Sequence, residues 1–97
     1  YQVLHATNGV EALSLLEEHT VDLILLDVMM PQMDGYEVTR ILRENNNFTP
    51  ILMVTAKDRQ DDIRKGFMTG TDDYMTKPVQ PFLLKETIHN LTERTNL

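Results

Sequence analysis

The 97-residue chain has no cysteine, so disulfides and thiolate metal sites are excluded. Positive charge is scarce. Nine lysines and arginines stand against 15 aspartates and glutamates, for a net charge of −6. No basic stripe is available to neutralise the phosphates of a nucleic acid, and an anionic membrane surface is equally disfavoured. Long apolar runs are also missing; the longest falls far short of a membrane span. No signal-peptide pattern opens the chain, and no internal repeat or low-complexity linker interrupts it. With 41% hydrophobic and 25% charged residues, the balance is that of an ordinary globular protein. The expectation is one small domain over residues 1–97, placed in the cytoplasm, with no direct nucleic-acid or membrane partner.

What is present is an alternation of short apolar runs and amphipathic stretches. Gln2 to Ala6 (QVLHA) alternates and is β-branched enough for a strand. Asn8 with Glu11 resembles a capping box, and Val10, Ala12, Leu13 and Leu16 give the next helix an apolar face ending near His19. DLILLD follows as a strand whose unbroken run predicts burial on both faces, as in a parallel sheet. Gly35 to Glu44 reads as a second helix, with Val38, Ile41 and Leu42 inward and Asp34-Gly35 shaping the turn before it. After the loop NNNFTP, Ile51 to Thr55 is a third strand. Asp58 with Asp61 opens a third helix that turns Ile63 and Phe67 to one side and ends at Gly70. Asp73 to Lys77 is a fourth strand. Pro81 suits the first position of a last helix striped by Leu84, Ile88 and Leu91. Such alternation predicts an α/β fold: an open parallel sheet, right-handed crossovers, and helices on both faces.

The stretch LILLDVMMPQMDGYE drives four aliphatic residues into a carboxylate, Asp27. A charge at the end of a buried run is costly unless it is solvated, paired or metal-bound. Asp27 therefore belongs at the mouth of the core. In open α/β sheets function sits at the carboxyl ends of the strands, and here three strands end on polar residues: Asp27, Thr55 and Lys77. An exposed carboxylate beside a hydroxyl and an ammonium can attack phosphorus without a separate base, being already ionised at neutral pH. Lys77 would pair with the acyl phosphate formed, Thr55 would hydrogen-bond it, and Mg²⁺ would bridge it. Taken singly, each has a plainer reading. Asp27 alone is a strand-end cap, Thr55 a β-branched strand residue, Lys77 a solvated lysine and Tyr74 a core aromatic. Met29, Met30 and Met33 read as packing, and His5, His19 and His89 share no ligand spacing.

Together, LILLDVMMPQMDGYE, MVTAK and GTDDYMTKP resemble the three signature blocks of the response-regulator receiver domain of two-component signalling. The likeness runs through essentially the whole chain, in order. It implies a flavodoxin-like fold in which Asp27 is the phosphoacceptor and Met29 offers its backbone carbonyl to a Mg²⁺ cofactor. It also implies that Thr55 is the switch hydroxyl, Tyr74 the switch aromatic and Lys77 the phosphoryl-binding lysine, with a cis Lys77–Pro78 bond. The partners implied are a histidine kinase or phosphotransfer protein as donor and a downstream output domain or protein as reader. The reader would meet a face formed by the last two helices and the strand between them, which phosphorylation biases between two states.

The likeness also has gaps. The family opens with a further strand and helix, and that strand ends on an acidic pair that completes the metal site; here QVLHA matches the family's second strand. Four strands and four helices of the pattern remain, without the acidic pair. The family's first strand lies inside the sheet, so the strands at Val3 and Leu25 are each expected to show an unpaired apolar edge. The sequence is expected to be a fragment of a longer receiver, with strand exchange between copies in an oligomer as the alternative. Asp72, Asp73 and Arg94 fit the charged ladder through which the OmpR-like subgroup dimerises. Ile63, Leu83 and Thr87 replace its other charges, so neither that dimer nor a DNA-binding output domain is expected here. A phosphatase of the haloacid-dehalogenase type wants a second aspartate where this chain has Met29, so sustained turnover of an external substrate is not expected. The alternative function is a degenerate receiver that docks partners without phosphorylation.

Overall fold

The computed structural model describes residues 2–94, the last by its backbone alone. The elements alternate strictly: β1 (Val3–Ala6), α1 (Gly9–Glu18), β2 (Leu23–Leu26), α2 (Gly35–Glu44), β3 (Ile51–Thr55), α3 (Gln60–Thr69), β4 (Asp73–Thr76) and α4 (Pro81–Arg94). Local chemistry sets most of the helix starts. The Asn8 side chain accepts from the Val10 and Glu11 amides at 3.0 and 3.2 Å, and Asp34 accepts from the Glu37 amide at 2.8 Å; both satisfy orphan first-turn donors. Pro81 takes the first position of α4. The third helix departs from expectation. Its N-cap is Arg59, which makes no side-chain cap bond, so Asp58 does not cap it. Asp61 and Asp62 instead lie in the first turn, where the helix dipole favours them.

The four strands are parallel and ordered β1-β2-β3-β4. When strand order follows chain order, every right-handed crossover returns on the same side. The core divides accordingly. On one face Ala12 of α1 and Tyr36, Val38 and Leu42 of α2 pack with Ile24 and Met53. α3 joins them through Gly66, which lies against Tyr74 and Met53. On the other face, among the described residues, α4 supplies the cover, with Leu91, Ile88 and Leu84 over Leu23 and Leu52.

Two expectations need correcting. The strands at Val3 and Leu25 do not show facing open edges: Val3 pairs with Leu23 and His5 with Leu25. The Asp22 and Leu23 amides both donate to the Gln2 carbonyl, at 2.8 and 3.3 Å. Direct pairing gives partners to two rows of backbone groups that would otherwise face each other unbonded. The apolar stripes of α1 and α3 are met only in part: Ala12, Leu13 and Leu16 of α1 face the core as expected, but one large residue on each helix does not. Val10 is 49% and Phe67 47% exposed, while Ala12 and Gly66 are buried. These helices approach their neighbours through small residues, which allow closer packing than the larger side chains beside them.

Asp72, read as part of a charged ladder, is an internal tie instead. It accepts from Arg43 Nη2 at 2.9 Å and from the Ile51 amide at 2.8 Å. Arg43 also donates to the carbonyls of Gly70, Asn47 and Thr49. Asp73 accepts from the Tyr74 amide, and the Arg94 side chain lies outside the described residues.

Candidate functional site

β2, β3 and β4 end side by side and deliver their terminal residues to one rim. Asp27 directly follows β2, Thr55 closes β3 and Lys77 directly follows β4. Lys77 Nζ donates to Asp27 Oδ2 at 2.8 Å, and the Met29 amide donates to Asp27 Oδ1 at 2.9 Å. The Lys77 amide donates to the Thr55 carbonyl at 2.8 Å, locking the ends of β3 and β4 together. Thr55 is fully buried, and its Oγ1 accepts from the Lys57 amide at 3.3 Å. The apolar run thus ends in a charge that is both partly solvated and paired: the Asp27 side chain is 23% and that of Lys77 51% exposed.

Burial alone would lift the Asp27 carboxyl. The hydrogen bond from Lys77, the Met29 amide and the Thr55 hydroxyl, with the lysine's charge, outweigh it and hold the pKa below its ordinary value. An ion pair this exposed contributes about 0–1 kcal/mol to stability, so the arrangement matters as a placed nucleophile and cation more than as a brace. Tyr74 is half-buried in β4, with its hydroxyl donating to the Lys57 carbonyl at 2.9 Å. Burial, then the neighbouring Tyr36 hydroxyl, raises its pKa and keeps the phenol neutral. The Lys77–Pro78 bond is cis.

A model of the response regulator receiver domain matches residues 1–89. The chain belongs to the receiver-domain family of response regulators. The alkaline phosphatase synthesis transcriptional regulatory protein PhoP of Bacillus subtilis is 43% identical over 97 residues, all of this chain and 40% of that protein. This receiver thus spans about two fifths of the length of such a relative. The receiver domain of Francisella response regulator 1452 superposes at a TM-score of 0.88 and 38% identity, covering 93% of this chain and 74% of that one. The receiver domain of sensor histidine kinase PA1611 from Pseudomonas aeruginosa superposes at 0.80 and 31% identity, covering 91% and 74%; it holds a magnesium ion in its active site cleft. The flavodoxin-like reading of the sequence stands. Among the described residues, no helix is long and apolar enough to cross a membrane.

The donors of this receiver do not make up a Mg²⁺ site on their own. Among the described residues, no three His, Asp or Glu side chains converge to hold a metal ion. Both oxygens of Asp27 already accept protein hydrogen bonds. The Met29 amide donates to the carboxylate; its carbonyl, an acceptor like the carboxylate, could share only a cation with it. Mg²⁺ demands near-octahedral oxygen coordination, and one such carboxylate with one carbonyl leaves most of that shell to water.

Two residues of this receiver's site escaped the sequence reading. Gly66 gives the Tyr74 ring its place on α3: a Cβ there would lie 2.7 Å from Tyr74 Cδ2. A lone glycine inside a helical pattern was the available signal. Tyr36 is buried at 7% exposure, and its hydroxyl reaches the Asp62 carbonyl at 2.9 Å, a partner 26 residues away that no local pattern announces.

Proposed function

We propose that the whole chain is one phosphorylation-dependent receiver unit working in the cytoplasm. An oxygen of Asp27 attacks in line the phosphorus of a phosphohistidine on a histidine kinase or phosphotransfer protein. The new O–P bond forms as the P–N bond breaks, and the imidazole leaves with the electron pair. Lys77 then pairs with the phosphoryl oxygens, and the Thr55 hydroxyl turns to hydrogen-bond them. Tyr74 moves into the space Thr55 gives up, and the face made by α3, β4 and α4 changes its preference for a downstream output domain or protein. The observation that carries this reading is the 2.8 Å pair between Lys77 and a partly exposed, ionised Asp27, made across the end of β3 from the ends of β4 and β2. The magnesium ion in the PA1611 receiver supports Mg²⁺ as the family's cofactor; no step above is routed through it, because the acidic set is not assembled here. Sustained turnover of an external substrate is not part of this function.

The test is intact-mass spectrometry after incubation with Mg²⁺ and a small acyl-phosphate donor. One phosphoryl group is expected on the wild-type chain and none on Asp27→Asn. Equal labelling of both would remove Asp27 from its role, and no labelling of either would favour phosphorylation-independent docking.

A further inference from the structure

Tyr36 joins two parts of the molecule that the proposed switch must connect. It is the second residue of α2, directly after Gly35. Gly35 lies so close to the phosphoacceptor loop that a Cβ would fall 2.7 Å from the Asp27 carbonyl oxygen, and its amide donates to the Val28 carbonyl at 3.1 Å. The loop after Asp27 and the start of α2 therefore form one tightly packed segment. From it the Tyr36 hydroxyl crosses to the Asp62 carbonyl at 2.9 Å, in the first turn of α3. The Lys65 ammonium, also on α3, sits 4.6 Å from the Tyr36 ring centroid, within cation–π range. α3 is also the helix whose N-cap residue makes no side-chain bond. Its approach is held at a second point, the Lys57 carbonyl, by Tyr74.

We propose that Tyr36 is a positioning residue that couples the Asp27 loop to α3. Its hydroxyl holds the first turn of α3 to the start of α2, and displacement of the Asp27 loop is passed to α3 through it. This deepens the receiver reading and rests on it for the Asp27 end; the hold on α3 stands independently. Tyr74 and Tyr36 then act from two sides, one from β4 and one from α2. Tyr36→Phe keeps the ring and its Lys65 partner and removes only the hydroxyl.

Amide hydrogen exchange on wild-type and Tyr36→Phe chains tests both ends, without donor and after incubation with Mg²⁺ and an acyl phosphate, with intact mass giving the extent of labelling. Without donor, Tyr36→Phe is expected to speed exchange at the start of α3 about 5- to 10-fold, the effect of one lost neutral hydrogen bond, while β2 and β3 are unchanged. Unchanged exchange at α3 overturns the latch, and a uniform rise across β2, β3 and α3 shows a merely structural residue and overturns it as well. With donor, the change in α3 exchange that accompanies labelling of the wild type is expected to shrink several-fold in equally labelled Tyr36→Phe. A full response in the variant overturns the coupling. Absence of labelling in the wild type is visible in the mass; it overturns the receiver reading and the Asp27 end with it, while exchange without donor still decides the latch.

Discussion

Asp27 keeps its charge because Lys77, the Met29 amide and the Thr55 hydroxyl together outweigh its burial, and that balance has a pH signature. Its folded pKa lies below the ordinary value. A group depressed on folding contributes stability that is fully present above its unfolded pKa, about 4, and is lost as pH falls through the lower folded value. Wild-type and Asp27→Asn chains should therefore differ in urea stability by a constant amount above about pH 5. Below that, the wild type should lose stability relative to the variant, by no more than about 1 kcal/mol for so exposed a pair. A difference that grows as pH falls would mean that burial wins and the carboxyl is raised. The Asp27–Lys77 pair was legible in the sequence because β-α alternation gathers the carboxyl ends of parallel strands along one edge, and the receiver resemblance sets β2 and β4 one strand apart. The latch from Tyr36 was not, because a hydroxyl's partner across 26 residues depends on how α2 and α3 pack.

At the scale of elements, α3 is seated by its glycine. Gly66→Ala would gain up to about 1 kcal/mol of helix propensity, but the new methyl would meet the Tyr74 ring at 2.7 and 2.9 Å. Overpacking of that kind costs about 1–3 kcal/mol, so the variant should be less stable than wild type in urea. In a Tyr74→Ala background the obstruction is gone and the same change should become stabilising, a sign reversal that a double-mutant cycle reads directly. Stabilisation in both backgrounds would show that the ring yields freely, and destabilisation in both would move the obstruction to Met53, whose sulfur lies 3.3 Å from the same Cβ position. This seating also explains why helix positions were legible and their buried faces only partly so. A 3.6-residue stripe counts apolar side chains, which favoured Phe67 and Val10. On α1 the predicted Ala12, Leu13 and Leu16 do face the core, whereas on α3 the close approach occurs at Gly66, which no apolar stripe counts. One residue along a helix turns the face by about 100°, enough to leave Phe67, next to Gly66, toward solvent; Val10 lies exposed in the first turn of α1.

The whole molecule is lopsided in a way that follows from strand order. Sequential parallel strands place α1, α2 and α3 on one face, and among the described residues α4 is the helix that covers the other. Element order was legible in the residues alone; alternation is compatible with any right-handed winding, so the order of the strands comes only from the receiver resemblance, which misjudges the pairing of β1 with β2. Beside α4 a cavity of about 190 Å³ opens between His5, Leu25, Val54, Lys77 and Leu84. Leu91 anchors this helix at 4% exposure over the fully buried Leu23 and Leu52, while Leu42 is buried at 5% on the opposite face. Each substitution by alanine should cost about 2–5 kcal/mol, a large share of the 5–15 kcal/mol typical of a domain. The consequences should differ in kind. α2 contacts helices on either side, α1 and α3, so Leu42→Ala leaves its face covered. Among the described residues no other helix lies beside α4 on its face, so Leu91→Ala weakens the cover over Leu23 and Leu52 and lets the helix lift as a unit. Both variants should show similar losses in urea midpoint, but only Leu91→Ala should bind an apolar-surface dye such as ANS before the main transition. Equal dye binding by the two would mean that α4 is held by more than its leucine stripe.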